Sequence, residues 1–241
     1  MSISPLGRFN AGQTSLNPNS QPIDTRRGGQ PETVKTVGEQ VAESLFSRPA
    51  PMLLVPSEFP ELQAMLVVLD KYRRKLAMMI GDRDEDYTLA LAQDTIAAID
   101  ERGIIFLGAQ FLLAHKQHLD VVVGAIAHEI GHRPKRMRTL GQTDTRTLTA
   151  EQKQALLLHE EIRADSFAGR GLAELGFSCE PLIAFLRQVS VHPHPEYLPV
   201  AERAEVIRAG FEGRKARASS RRKLFPDFDR HTAPRLHLGD Y

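Results

Sequence analysis

Two histidines four residues apart, His128 and His132, enclose a glutamate, Glu129, in the stretch AIAHEIGH. On an α-helix, residues four apart share a face and lie about 6 Å apart along the axis, so both imidazoles can reach one ion at about 2.0–2.1 Å. Glu129 is turned about 100° from the first histidine, too far round to be a good ligand but close enough to take a proton from a zinc-bound water. Five residues therefore offer two ligands and a base. Catalytic zinc takes three protein ligands and keeps one position open, so a third ligand has to come from elsewhere in the fold. The chain continues HEIGHRPKRMR, with no third histidine at the close spacing. Farther along stand His159, Glu160, Glu161 and Asp165. Glu161 and Asp165 are one turn apart on one face, so Glu161 could bind the ion while Asp165 accepts the free N–H of a ligand imidazole and fixes its tautomer.

The elements that carry these residues are legible. In VVVGAIAHEIGH, valine, isoleucine and alanine occupy nearly every side, which predicts a buried helix with Asp120 as its N-cap. A polar trio inside such a helix is costly unless paired or metal-bound. Thr149 and Gln152 stand in capping-box register for a second helix that runs to about Leu175 and ends at Gly176. Further helices are expected over 61–79, 181–189 and 200–209, and short strands over 52–55, 87–92, 95–99 and 103–107, with a hairpin turn at 100–103. Strands precede helices, so the expected class is α+β: a small, largely antiparallel sheet beside a buried zinc-binding helix and a following helical bundle. Residues 103–108 are a candidate edge along which an extended peptide could add as a further strand.

With these elements in place, the chain resembles the gluzincin peptidases related to the heat-shock protease HtpX and the CaaX prenyl protease. The resemblance covers about residues 86–208 and is carried by TIAAIDERGIIFLGAQFLL, by AIAHEIGH, by EIRAD, and by SVHPHP followed by Glu202 and Arg203. It implies a zincin-like fold and one zinc ion per chain held by His128, His132 and Glu161, with Glu129 as catalytic base and Asp165 supporting the site. It also implies that His192 or His194, with Arg203, contacts substrate or the developing oxyanion. The implied activity is endopeptidase hydrolysis of a protein or peptide through a zinc-activated water.

Composition sets the surroundings. The chain has 241 residues, 41% hydrophobic, with a net charge of +1, so no overall field recruits nucleic acid or an anionic membrane. Its one cysteine, Cys179, excludes an internal disulfide. The opening residues lack the apolar core of a secretory signal, and no run approaches the ~18 apolar residues of a membrane span. The expected location is cytoplasmic. Residues 1–42, rich in Ser, Asn, Gln, Gly and Pro, read as a disordered leader, ahead of a catalytic domain over 43–210 and a basic tail over 211–241. Such leaders also accompany export by routes without a signal peptide, so a secreted effector or toxin with one narrow target is the alternative. Arg214, Lys215, Arg217, Arg221, Arg222 and Lys223 crowd the tail, where any contact with nucleic acid or an acidic partner would lie. A zinc-stabilised binding protein without turnover is the remaining reading, although such a site would have no need of Glu129.

Successive helical residues are turned by about 100°, so only one of His159, Glu160 and Glu161 can face the ion. In a zinc titration, Glu161→Ala is expected to lose affinity strongly and Asp165→Ala by about 10–100-fold, while His159→Ala and Glu160→Ala bind as wild type. Loss in either of the last two with retention in Glu161→Ala would place another face of this helix at the ion.

Overall fold

A computed structural model describes residues 35–139, 144–190 and 197–224. Eight helices and three strands follow in the order α1 (Val37–Phe46), α2 (Pro60–Ile80), β1 (Thr88–Ala92), β2 (Ala97–Ile99), β3 (Ile104–Gly108), α3 (Ala109–Ala114), α4 (Leu119–Gly131), α5 (Pro134–Thr139), α6 (Ala150–Leu175), α7 (Glu180–Val189) and α8 (Val200–Leu224) among the described residues. The class is α+β and mostly helical, with one small sheet. No helix among the described residues is long and apolar enough to cross a membrane.

The sheet is mixed, not antiparallel throughout. Its order is β1-β3-β2: β3 runs parallel to β1, with Thr88 opposite Ile104, and antiparallel to β2, with Ile99 opposite Ile105. After β1 the chain turns through Asp94, whose φ of 51° is left-handed, and skips the neighbouring position, which the β2–β3 hairpin then fills with β3. The hairpin turn is held by Asp100, whose Oδ1 accepts from the Arg102 and Ile104 amides, and by Gly103 at φ 89°. A Cβ at Gly103 would also lie 2.0 Å from the Asp86 carbonyl oxygen, so glycine is required there twice over. Since β3 is paired on both sides, the expectation of an edge at 103–108 is wrong; the edges are β1, bridged on its outer side only at Ala92, and β2, whose outer side is unpaired among the described residues. The 52–55 strand reduces to a single bridge between Leu53 and Ala92.

Helix α4 is buried as its composition requires, with Val122, Val123, Ile126, Ala127 and Ile130 fully inaccessible. It begins two residues earlier than expected: His118 occupies the N-cap without a side-chain hydrogen bond, and Asp120 lies in the first turn, where its charge favours the helix dipole. Helix α6 has the anticipated ends, a reciprocal Thr149–Gln152 capping box and a left-handed Gly176. Helix α1 opens at a Thr36–Glu39 capping box, inside the stretch expected to be leader, and buries Phe46. Helix α8 passes well beyond residue 209, to Leu224. Cys179 is buried, as a small core residue would be.

Helices α6 and α8 approach so closely that a Cβ at Gly169 would sit 1.9 Å from the Ile207 carbonyl oxygen, and one at Gly210 2.2 Å from that of Ser166. Gly169→Ala should therefore force the helices apart and destabilise the protein by about 1–3 kcal/mol. Gly213→Ala, with nothing within 4 Å of the new methyl, should be neutral or stabilising by up to ~1 kcal/mol. Urea denaturation midpoints of both variants decide; equal values would refute the close approach.

Candidate metal centre

Helix α4 delivers His128, Glu129 and His132 at its C-terminal end, where apolar packing gives way to a cleft. Helix α6 crosses it with a face on which Glu161, Ala164, Asp165 and Ala168 are all buried. The register follows from that face. Glu161 and Asp165, one turn apart, meet the two histidines, whereas Glu160 is paired with Arg163 and the His159 side chain is 74% exposed. Arg163 also donates from Nη2 to the His132 carbonyl oxygen at 3.1 Å, which satisfies an acceptor left over at the end of α4.

The ligand atoms of His128, His132 and Glu161 all lie within 4.8 Å of one another, a group that could hold a metal ion. His128 Nε2 is 3.2 Å from Glu161 Oε2 and His132 Nε2 is 3.8 Å from Glu161 Oε1. The two rings stand nearly perpendicular, at 88° with centroids 4.9 Å apart. His128 Nδ1 is 2.9 Å from Asp165 Oδ1. With Nδ1 directed at Asp165, the contact between Nε2 and the Glu161 carboxylate is favourable when Nε2 carries a proton or when a cation lies between the two. Two buried polar atoms, His132 Nδ1 and Glu161 Oε2, have no hydrogen-bond partner. Of the two, Glu161 Oε2 lies on the side of the carboxylate that faces His128.

Charge in this interior is distributed unevenly. Burial pulls the His128 pKa down, but the carboxylates of Asp165 and Glu161 outweigh it and raise it to about 10. His132, with burial dominant, falls to about 4. Burial, with some help from Glu161, pushes Glu129 up to about 7 against the pull of His128, Arg48 and Arg203. Asp165 resists the upward effect of burial because Arg203 and His128 hold it at about 2.

Arg203, expected near substrate, is turned inward: its Nε and Nη2 each donate to Asp165 at 2.8 Å, and its guanidinium lies 5.0 Å from the centre of the Tyr197 ring. It does not line the cleft. His192 and His194 lie outside the described residues, as do residues 1–34 and the basic side chains of 214–223. Tyr197 and Arg48, which sequence reasoning did not single out, do line the cleft beside His128 and Glu129. Burial drives the Tyr197 hydroxyl pKa up to about 12, so it stays a donor at neutral pH. The cleft measures about 100 Å³ and is lined by residues of the 45–51 segment and by β2 with Asp100 of the turn that follows it. No family model and no curated protein matches the chain.

The buried Asp165–Arg203 pair gives a stability prediction. Removing one partner strands the other, so Asp165→Asn should cost about 3–5 kcal/mol in metal-free protein near neutral pH. A depressed carboxylate stabilises fully above its ordinary value of 3.8, and that contribution disappears as pH falls through about 2. The gap between wild type and Asp165→Asn should hence shrink by about 2 kcal/mol between pH 4 and 2. A gap that does not change with pH, measured by urea unfolding, would mean that Asp165 is not held ionised by its partners.

Proposed function

We propose that the chain is a zinc-dependent endopeptidase in which His128, His132 and Glu161 hold the ion and Glu129 is the general base. The observation that carries this reading is the convergence of two imidazoles and one carboxylate on one point, beside the half-buried Glu129 carboxylate in the same cleft. Ligands about 2.0–2.1 Å from a tetrahedral ion stand roughly 3.3–3.4 Å apart. The Glu161 oxygens lie 3.2 and 3.8 Å from the two imidazole nitrogens, and the ligand atoms as a group within 4.8 Å, so side-chain rotations would draw the three in to that spacing. Two histidines and a glutamate are also a set suited to catalytic zinc with one position left open. The resemblance to gluzincins, through HEIGH and EIRAD, supports the same assignment.

When bound, zinc supplies Lewis acidity to the attacking water and the scissile carbonyl. Glu129 takes the proton of that water and passes it to the leaving amine. Asp165, locked by Arg203, accepts from His128 Nδ1 and so keeps Nε2 directed at the ion position. An extended peptide pairs with the outer side of β2, where Ala97 and Ala98 leave room for its side chains, and its carbonyl comes to lie over Glu129. Tyr197 donates to the oxygen that gains charge as the carbonyl is attacked.

Purified protein should carry about one zinc per chain. Glu129→Gln should keep that metal and lose peptide cleavage by about 10²–10⁴-fold. New protein termini produced by wild type and missing with Glu129→Gln would identify substrates. Wild-type turnover in that variant would make Glu129 structural, and failure to retain zinc after reconstitution would remove the reading altogether.

A further inference from the structure

The two histidines of the centre are held in different ways. His128 is fixed through its ring, whose Nδ1 meets Asp165. His132 Nδ1 has no hydrogen-bond partner among the described residues, so this ring takes its direction from the backbone that carries it. That backbone turns sharply. His132 still has helical dihedrals, but Arg133 beside it has a φ of 47°. Pro134 keeps α4 from running on, because the residue ahead of a proline avoids the right-handed helical region. A left-handed conformation is costly for a residue with a Cβ, and arginine lacks the short polar side chain with which asparagine or aspartate offsets that cost.

Asp82 supplies what keeps Arg133 there. Its carboxylate accepts from Arg133 Nε at 2.9 Å and also from Nη2, a fork of two bonds between half-buried side chains. Asp82 is itself fixed. Left-handed Gly81 ends α2, the Asp82 amide donates to the Ala77 carbonyl oxygen at 3.0 Å, and the buried Tyr87 donates its hydroxyl to Asp82 Oδ2 at 2.7 Å. The Ile130 carbonyl oxygen lies 3.4 Å from the same hydroxyl and accepts from the Arg133 amide at 3.1 Å. The end of α4 is thus gripped by Asp82 from the α2 side and by Arg163, at the His132 carbonyl, from α6.

We infer that Asp82 is a positioning residue for the metal centre: by clamping Arg133 in its left-handed turn, it aims the His132 ring at the ion position. That His132 is a ligand rests on the peptidase reading; that Asp82 sets its orientation does not.

Glycine takes left-handed φ values at no steric cost, so it separates clamping from mere attachment. If Asp82 acts by holding the turn, adding Arg133→Gly to Asp82→Ala restores what Asp82→Ala alone loses. If Asp82 merely joins α2 to α4, the second substitution restores nothing, since the ion pair is absent from both variants. In metal-free protein, the His132 Cε1–Hε1 NMR cross-peak, assigned by its loss in His132→Gln, should shift or broaden in Asp82→Ala. It should return toward its wild-type position in the double variant, and the His128 peak should move less throughout. Zinc affinity, measured by competition with a chelator, should fall about 10–100-fold in Asp82→Ala and be largely regained in the double variant. A His132 peak unmoved by Asp82→Ala, or still displaced in the double variant, would overturn the role. So would an unchanged zinc affinity in Asp82→Ala. Should Asp82→Ala not fold, Asp82→Asn, which keeps an acceptor for Tyr87 but no charge for Arg133, replaces it with the same expectations. Wild-type protein that takes up no zinc would remove the peptidase reading, and the metal-free spectra would still decide the role of Asp82.

Discussion

The structure depends on holding five ionisable groups in one small volume, with His132, Glu161, Asp165 and Arg203 buried and His128 half-buried at the cleft. Charges in such a place are tolerable only when each is matched. Asp165 does most of this matching: one carboxylate serves both the His128 imidazole and the Arg203 guanidinium, and so ties α4, α6 and α8 together at a single residue. The remaining carboxylate, Glu161, has its Oε2 without a hydrogen bond and faces two imidazole nitrogens. Hydrogen bonding is therefore complete on the Asp165 side and incomplete on the Glu161 side, where the group that could hold a cation lies.

Packing makes this possible. Helix α4 is wrapped in aliphatic side chains on all but one strip, so its polar end is held rigidly by neighbours that need no polar partner themselves. Helices α6 and α8 meet through Gly169 and Gly210, and it is this close contact that brings Arg203 within reach of Asp165. Phe46 from α1 closes the far side of the centre, with its ring edge-on to His132 at 6.5 Å. The small sheet does less for the core than for the cleft, one wall of which is β2.

Much of the centre was legible because it is local. His128, Glu129 and His132 are fixed relative to one another by a single helix, and so are Glu161 and Asp165; helical spacing and the Thr149 capping box were enough to place each set. The partnership of Asp165 with Arg203 spans 38 residues and depends on how two helices cross, which no periodicity encodes. The sheet order was missed for a similar reason. Alternation of residue types identifies strands 87–92, 95–99 and 103–107, but whether the third pairs outside the second or slips between the first two is decided by the turns at Asp94 and Gly103. Asp120 was misread as a cap because an acidic residue in the first turn and one at the N-cap leave nearly the same trace. Tyr197 and Arg48 carry no local pattern at all and are brought to the cleft by loops.

Strand β2 is only three residues long, and its outer side is open among the described residues. An exposed strand edge invites pairing with the edge of another copy, and that tendency grows with length, flatness and apolar content. An edge this short, bent away at the Asp100 turn and bordered by the Leu45–Pro51 segment with its two prolines, is a poor template for stacking one molecule on the next. The same brevity limits the backbone bonds it can offer any chain laid beside it to about one per two residues. The open edge can thus remain accessible without drawing the protein into assemblies with itself.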